Sequence, residues 1–186
     1  MEDELFLAQS DLLDEAASEA GLAQSPDGNV VDYVEVSGTG QREADLREMG
    51  MITSCYAVPH ANAQDGVPPL LFGCVKANIG SLDGASGMAG LIKAINVVKR
   101  GKVPPQIHLE GGPPEEVQND GRVAVPTRLT DLVRRADGRP FRAGVNSFSP
   151  CGTLAHAIVE EFREGVAQQR WGARPRKPVP LERLAP

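Results

Sequence analysis

Two glycine-containing turns hold most of the side chains that could do chemistry. The first, Ser37-Gly38-Thr39-Gly40, offers two hydroxyls, and the second offers the Lys76 amine, the Asn78 amide and the Ser81 hydroxyl. Such groups bind polar ligands through hydrogen bonds, and the lysine adds a positive charge. The first turn lacks the Gly-Lys-Ser/Thr ending of a phosphate-binding loop, so the sequence does not predict a nucleotide site there.

These side chains also have ordinary structural interpretations. Ser37 opens a turn, where a hydrogen bond between the hydroxyl and the local backbone is common. Ser81 precedes a predicted helix and could cap its N-terminus. Lys76 follows a predicted strand, so on sequence alone it is expected to be solvated or ion-paired. From the residues alone, these roles are favoured over catalytic ones.

The three cysteines, Cys55, Cys74 and Cys151, are odd in number and far apart in the sequence. This argues against a disulfide framework or a zinc ribbon and predicts a reducing, cytoplasmic compartment. Cys55 and Cys74 fall on a predicted helix and a predicted strand, where they are expected to be core residues. Cys151 falls between a proline and a glycine, so we interpret it as part of a turn.

The histidines do not have the spacing of metal ligands, and no metal site is predicted. His60 falls in a loop, with no histidine or cysteine at ligand spacing. His156 falls on an apolar strand, where a histidine is more often a hydrogen-bonded core residue than a ligand.

Composition excludes several classes of function. The 186 residues carry a net charge of −6, which disfavours nucleic acid as a partner. Basic residues gather near the C-terminus among prolines, where a solvated linker is expected. No apolar run reaches the roughly 18 residues of a membrane span. The acidic start also lacks the basic end of a signal peptide.

The hydrophobic pattern predicts alternating strands and helices. The predicted helices cover 4–22, 43–56 and 82–100, and the predicted strands cover 30–36, 70–75, 122–125, 142–148 and 155–161. Such an order is typical of an α/β layered fold with a mixed sheet. Both turns follow a strand and precede a helix, so they are expected to face one crevice. Glycines in the first half of the 82–100 helix indicate very close packing there, and Gly101 is its predicted C-terminal cap.

Four stretches match a known pattern in order and spacing. Residues 34–48 are similar to V-E-x-H-G-T-G-T followed by G-D-P-x-E, and residues 73–93 are similar to G-x-V-K-x-N-I-G-H-x-E-x-A-A-G-x-A-G-x-I-K. Residues 104–108 match P-P-x-x-H, and residues 142–161 resemble R-x-x-V-S-S-F-G-x-x-G-T-N-A-H-V-x-L-E-E. Over about 10–162 the chain therefore resembles the C-terminal half of the β-ketoacyl synthase (ketosynthase) domain of polyketide synthases, in the thiolase-like superfamily.

The resemblance implies one half of an α-β-α-β-α fold, over residues 1–162, followed by a linker or tail over 163–186. The family carries out decarboxylative Claisen condensation of thioesters with a cysteine nucleophile and two histidines. The cysteine belongs to the N-terminal half, for which the residues before 10 offer no room. The two histidine positions hold Ser37 and Ser81, while Lys76 is retained and is expected to line the same site.

The remaining positions of the pattern imply binding roles. A family threonine that helps to hold the pantetheine arm of a carrier protein is replaced by Gln41, whereas Thr39 and Asn78 are retained. Leu154 replaces the Asn of the G-T-N-A-H stretch, while Asp45 and Glu48 remain. His108 and His156 match family positions that we interpret as structural.

These matches and departures lead to two hypotheses. The first is a truncated, degenerate ketosynthase half that lacks condensing activity alone and acts as a binding or scaffold piece. The second is half of a split ketosynthase that condenses acyl and malonyl thioesters when an N-terminal-half chain joins it. The implied partners are an acyl carrier protein or that N-terminal half, with no cofactor. An unrelated α/β binding module is a weaker third interpretation.

Overall fold

The computed structural model describes residues 2–22, 29–58, 67–135, 137–149 and 151–164. The helices in these ranges are α1 (Glu2–Glu19), α2 (Arg42–Tyr56), α3 (Lys76–Ile79), α4 (Ser86–Arg100) and α5 (Glu115–Asn119), with a 3-10 turn at Asp83–Ala85. The strands are β1 (Tyr33–Glu35), β2 (Leu70–Gly73), β3 (Lys102–Val103), β4 (Val123–Ala124), β5 (Thr130–Asp131), β6 (Arg142–Phe148) and β7 (Leu154–Glu160).

A mixed sheet forms the centre of the described chain. Its strand order is β4-β2-β1-β6-β7, and all neighbours are parallel except β6 and β7, which pair antiparallel along their whole length. A separate antiparallel pair joins β3 and β5. Because β1 and β2 run in the same direction, the loops that follow them leave the sheet at the same edge. The sheet and its packed helices confirm the predicted α/β class.

Helices cover both faces of this sheet. Side chains alternate between the faces of a strand, so Val34 packs in the cluster that contains α1 and α2 residues, whereas its neighbour Tyr33 packs in the cluster of α4. Leu13 of α1 and Ile52 of α2 are fully buried in the first cluster. Ala94 of α4 is fully buried in the second. The layers are therefore helix, sheet and helix.

Most predicted elements are confirmed, although β1, β2 and β4 are shorter than expected. The helix predicted over 82–100 begins instead with the 3-10 turn, and α4 starts at Ser86. The predicted cap at Ser81 is wrong, because Leu82 stands at the N-cap of the 3-10 turn and its amide donates to the Ser86 hydroxyl at 2.9 Å. Gly101 does cap α4 in the left-handed conformation, with φ of 63°. The hydrophobic pattern did not predict the short helix α5.

The large apolar residues of α4 lie on two sides of the helix. Val98 packs into the core beside Gly90 and Ala94. Met88, Ile92 and Ile95 point outward and are 60%, 59% and 44% exposed. We call these three residues the apolar stripe. The close packing that the glycines predicted occurs on the opposite side, against the sheet.

Some predictions fall on other parts of the chain. His60 and Pro150 lie outside the described residues, as does the linker predicted over 163–186 except for its first two residues, so the domain division at 162 stays a prediction. Among the described helices, none is long and apolar enough to cross a membrane.

Candidate functional site

The loop between β1 and α2 is held by two carboxylates of α2. Glu48 accepts the amide N–H groups of Ser37 at 2.6 Å and Gly38 at 2.9 Å. Asp45 accepts those of Thr39 at 2.6 Å and Gly40 at 3.1 Å. Four successive loop amides therefore donate to carboxylates of α2, and they are not free to cradle an anion.

Backbone conformation explains the two glycines of this loop. Gly38 and Gly40 have φ of 58° and 78°, in the left-handed region that side chains other than glycine rarely adopt. A Cβ at Gly38 would also lie 3.0 Å from the Cys74 sulfur. The two glycines are therefore needed for the course of the chain.

The side chain of Ser37 is buried and forms a hydrogen bond with a residue that is distant in the sequence. Its hydroxyl oxygen accepts the amide N–H of Phe148 at 3.1 Å, which ties the loop to the end of β6. The local hydrogen bond predicted from the sequence is wrong, because the partner lies 111 residues away. The Ser37 carbonyl also accepts the ammonium of Lys76. The structure thus brings Ser37 and Lys76 together.

The second loop, which follows β2, is anchored at its beginning. The Cys74 amide donates to the Gln106 side chain at 2.9 Å, and the next amide, that of Val75, donates to the Glu35 carboxylate. Cys74 is partly buried and lies past the end of its strand, with its sulfur 3.9 Å from the Ser37 carbonyl. Burial raises the pKa of the Cys74 thiol, so this cysteine has little thiolate at neutral pH.

A buried charged cluster beneath the second loop was missed by the sequence analysis. Glu35, which ends β1, is 1% exposed and accepts the hydroxyl of Tyr33 and the ammonium of Lys93, the latter at 3.0 Å. Burial raises the pKa of the Glu35 carboxyl, and Lys93 opposes that shift. The signal available in the sequence was Glu35 itself, a glutamate at the end of an apolar strand. Its cation, Lys93, lies 58 positions later in the sequence, on α4.

The three predicted binding residues and Ser81, a predicted catalytic position, lie on the surface. Thr39, Gln41, Asn78 and Ser81 are all exposed. The Thr39 hydroxyl donates its proton to Asp45 at 3.0 Å and accepts the Gln41 amide, so it offers an outside ligand only acceptor capacity. Ser81 follows Gly80, whose φ is 75° and which ends α3.

Other candidate residues have structural positions. His156 bonds to Asn146 and Tyr56, and burial lowers its pKa to about 4, as expected for a neutral core histidine. Cys55 is buried and packs in the core, as predicted. Cys151 is exposed in the turn between β6 and β7, and His108 is exposed with a positive φ of 61°.

The chemistry available at the two loops is limited. An ammonium, several hydroxyls and amides can bind a polar ligand, but neither loop contains an imidazole. Among the described residues, no three His, Cys, Asp or Glu side chains could together hold a metal ion. A cavity of about 450 Å³ is lined by residues of α1 and α2 and their flanking loops, Cys55 among them, and by none from the two glycine-containing loops.

Comparison with known proteins identifies the family. The family described as "Beta-ketoacyl synthase, C-terminal domain" matches residues 6–110, which is more than half of the chain. The chain belongs to this family. The two loops of this ketosynthase C-terminal domain contain Ser37, Lys76 and Ser81, which the sequence analysis named as site positions.

Relatives of this ketosynthase C-terminal domain are polyketide synthases. It is 41% identical to the hybrid PKS-NRPS synthetase pyvA of Aspergillus violaceofuscus over 70% of the chain, and 37% identical to an erythronolide synthase of Saccharopolyspora erythraea over 94% of the chain. It spans only 3% and 5% of those proteins.

A solved structure shows the same fold. Ketosynthase twelve of the bacillaene polyketide synthase from Bacillus amyloliquefaciens superposes with a TM-score of 0.69 at 28% identity, over 85% of this chain and 26% of that one. The ketosynthase C-terminal domain described here therefore has a thiolase-like fold, as the motifs predicted.

Proposed function

We propose that this chain is a degenerate ketosynthase half that does not catalyse condensation alone and serves as a binding or scaffold piece of a polyketide or fatty-acid assembly line. The observation that carries the proposal is the Ser37 side chain. It stands where the family pattern has a histidine, it is buried, and its oxygen already accepts the Phe148 amide.

The condensation makes demands that these residues do not meet. A thiolate must accept the acyl chain, and proton donors must stabilise the enolate oxygen that forms after decarboxylation. An imidazole can hold or release a proton near neutral pH, whereas a serine hydroxyl cannot become a cation. The second histidine position holds Ser81, so the deficit applies at both positions, whether the chain is alone or joined to a half that supplies the thiol.

The first prediction concerns product formation. Incubated with acyl and malonyl carrier-protein thioesters, the chain is expected to give no β-ketoacyl product by mass spectrometry. In complex with the N-terminal half of the bacillaene ketosynthase, the wild-type chain should turn over at least about 10²-fold more slowly than the Ser37→His/Ser81→His variant, because general acid–base help is worth roughly 10²–10⁴-fold. Equal rates for the two complexes would refute the proposal.

A split ketosynthase is the alternative, and the apolar stripe on α4 is the observation that favours it. Three large apolar side chains on one helix face are costly to leave in water, and contiguous patches of this kind mark interaction sites. Under this hypothesis an N-terminal half covers the apolar stripe and supplies the nucleophile. The serines at 37 and 81 weigh against an active complex but not against its assembly.

The second prediction tests this assembly. Ile92→Asp is expected to weaken binding of the bacillaene N-terminal half by about tenfold or more, because a charge would be buried at the centre of the contact. Leu129→Asp, which places the same charge at an equally exposed apolar residue outside α4, should leave the Kd unchanged in isothermal titration calorimetry. If wild type and both variants fail to bind, the alternative is wrong.

Substrate contacts are part of the proposal. Gln41 and Asn78 are exposed, and their amides can donate to and accept from a carrier protein's pantetheine arm. Thr39 contributes an acceptor, and Lys76 supplies positive charge beside Ser37.

A further inference from the structure

The Glu48 carboxylate that holds the β1–α2 loop is buried, with three N–H donors as its hydrogen-bond partners. One oxygen accepts the Ser37 amide at 2.6 Å and the Asn146 side-chain amide at 2.9 Å, and the other accepts the Gly38 amide at 2.9 Å. Burial raises the pKa of the Glu48 carboxyl, and these donors oppose that shift. A buried carboxylate needs such donors, so the orientation of Asn146 matters to the loop.

The chemistry of the neighbours fixes how Asn146 is turned. A carboxylate only accepts hydrogen bonds, so the side-chain nitrogen of Asn146 must face Glu48. Its oxygen then faces His156, with 2.6 Å between Oδ1 and the ring Nδ1. Because an amide oxygen only accepts, Nδ1 of His156 must carry a proton.

The other ring nitrogen faces Tyr56. Nε2 lies 2.9 Å from the Tyr56 hydroxyl, whose single proton has two acceptors at that distance, this nitrogen and the Leu13 carbonyl oxygen. With the His156 pKa lowered to about 4 by burial, the ring is neutral near pH 7 and Nε2 is an acceptor. The imidazole fits closely at this position. His156 pairs with Asn146 across β6 and β7, and a Cβ at Gly144 would lie 3.0 Å from Cε1 of the imidazole.

We propose that Asn146 and His156 are positioning residues for the Ser37–Gly40 loop. The Nδ1–H tautomer of His156 orients Asn146, and Asn146 in turn holds the Glu48 carboxylate against the amides of Ser37 and Gly38. At position 146 the pattern quoted in the sequence analysis has Ser, whereas this chain has Asn. A serine hydroxyl has one oxygen for both roles, whereas an asparagine separates donor and acceptor onto two atoms. The inference does not depend on whether the chain condenses thioesters.

The wild-type protein gives the first test, by nitrogen NMR of the imidazole at pH 7. We expect the His156 ring to carry its proton on Nδ1, with Nε2 showing the shift of an unprotonated nitrogen. Because this measurement requires no variant, it stands even if substitutions impair folding. A proton on Nε2 instead would overturn the proposal.

The second test measures hydrogen exchange of the Ser37 and Gly38 amides, relative to the core amide of Val97. Asn146→Asp keeps the size of the side chain but replaces the donor to Glu48 by an oxygen, so both loop amides should exchange about tenfold or more faster. Asn119→Asp adds the same charge at an exposed position of α5 and should change neither rate by more than about twofold.

Substitution of His156 separates positioning from packing. His156→Leu removes the donor to Asn146 and should accelerate exchange at Ser37 and Gly38. His156→Asn places an amide N–H near the former Nδ1 and should restore most of the protection, although it loses the Tyr56 contact. If the two variants behave alike, or if Asn146→Asp matches its control, His156 and Asn146 do not position the loop.

Discussion

Replacing Lys93 by Met is expected to lower the free energy of unfolding by about 3–5 kcal/mol. The substitution leaves the Glu35 carboxylate buried without its cation, 3.0 Å from where the ammonium was. Tyr33 and the Val75 amide still donate to it, but neither carries a positive charge. Urea denaturation at pH 7 measures the loss.

The matched variants separate lost charge from lost packing. The double variant Glu35→Gln/Lys93→Met removes both charges and should recover most of the loss, since breaking a buried pair is far worse than removing it. Lys99→Met, on the exposed side of the same helix, should cost less than about 1 kcal/mol. If Lys93→Met lowered the free energy of unfolding no more than Lys99→Met, Glu35 would not depend on Lys93.

The same variant carries a pH dependence with a definite sign. Burial already raises the folded-state pKa of Glu35 above its ordinary value, and loss of Lys93 raises it further. The folded variant then binds a proton that the unfolded chain does not, so its stability falls as pH rises from about 4.5 through the folded pKa. The difference in free energy of unfolding between wild type and Lys93→Met should therefore be largest at neutral pH and decrease on acidification.

Gly87→Ala in α4 is expected to destabilise the protein by about 1–3 kcal/mol, although alanine is the better helix former. A Cβ at Gly87 would lie 2.5 Å from the Ser147 hydroxyl oxygen and 2.9 Å from its Cβ. Rotation of the serine can move the oxygen but not the Cβ, so α4 and β6 must separate.

The control is another helical glycine. Gly50 in α2 is exposed, and a Cβ there meets nothing within 4 Å, so Gly50→Ala should stabilise the protein by up to about 1 kcal/mol. Urea midpoints of the two alanine variants should move in opposite directions. In a double-mutant cycle, Ser147→Gly should reduce the destabilisation caused by Gly87→Ala. Parallel shifts of both midpoints would contradict the close approach of α4 to the sheet.

Local patterns were enough to identify the elements and the family. Residues 34–48 and 73–93 carry motifs whose spacing depends on neighbours in sequence, and each falls on a strand, a turn and a helix as predicted. Gly101 was recognisable as a cap because a left-handed residue at a helix end is a local requirement.

The orientation of α4 could not be obtained in this way. Its apolar residues occupy more than one face, and periodicity alone does not say which face the sheet will cover. The small residues decide it, because Gly87 and Gly90 allow the sheet to approach at Ser147 and Glu35. The larger residues Met88 and Ile92 are consequently left outside.

The sequence by itself determined that this chain is a ketosynthase C-terminal domain and that Glu35, Ser37 and Glu48 lie within one of its motifs. Tertiary structure decided what surrounds them: Phe148 on the Ser37 hydroxyl, Lys93 on Glu35, and the line from His156 through Asn146 to Glu48. The physical reason is that three of these contacts join residues 58, 98 and 111 positions apart, while the fourth joins His156 to Asn146 across β6 and β7. Only the packing of α2, α4 and β7 around the sheet brings such residues within hydrogen-bonding distance.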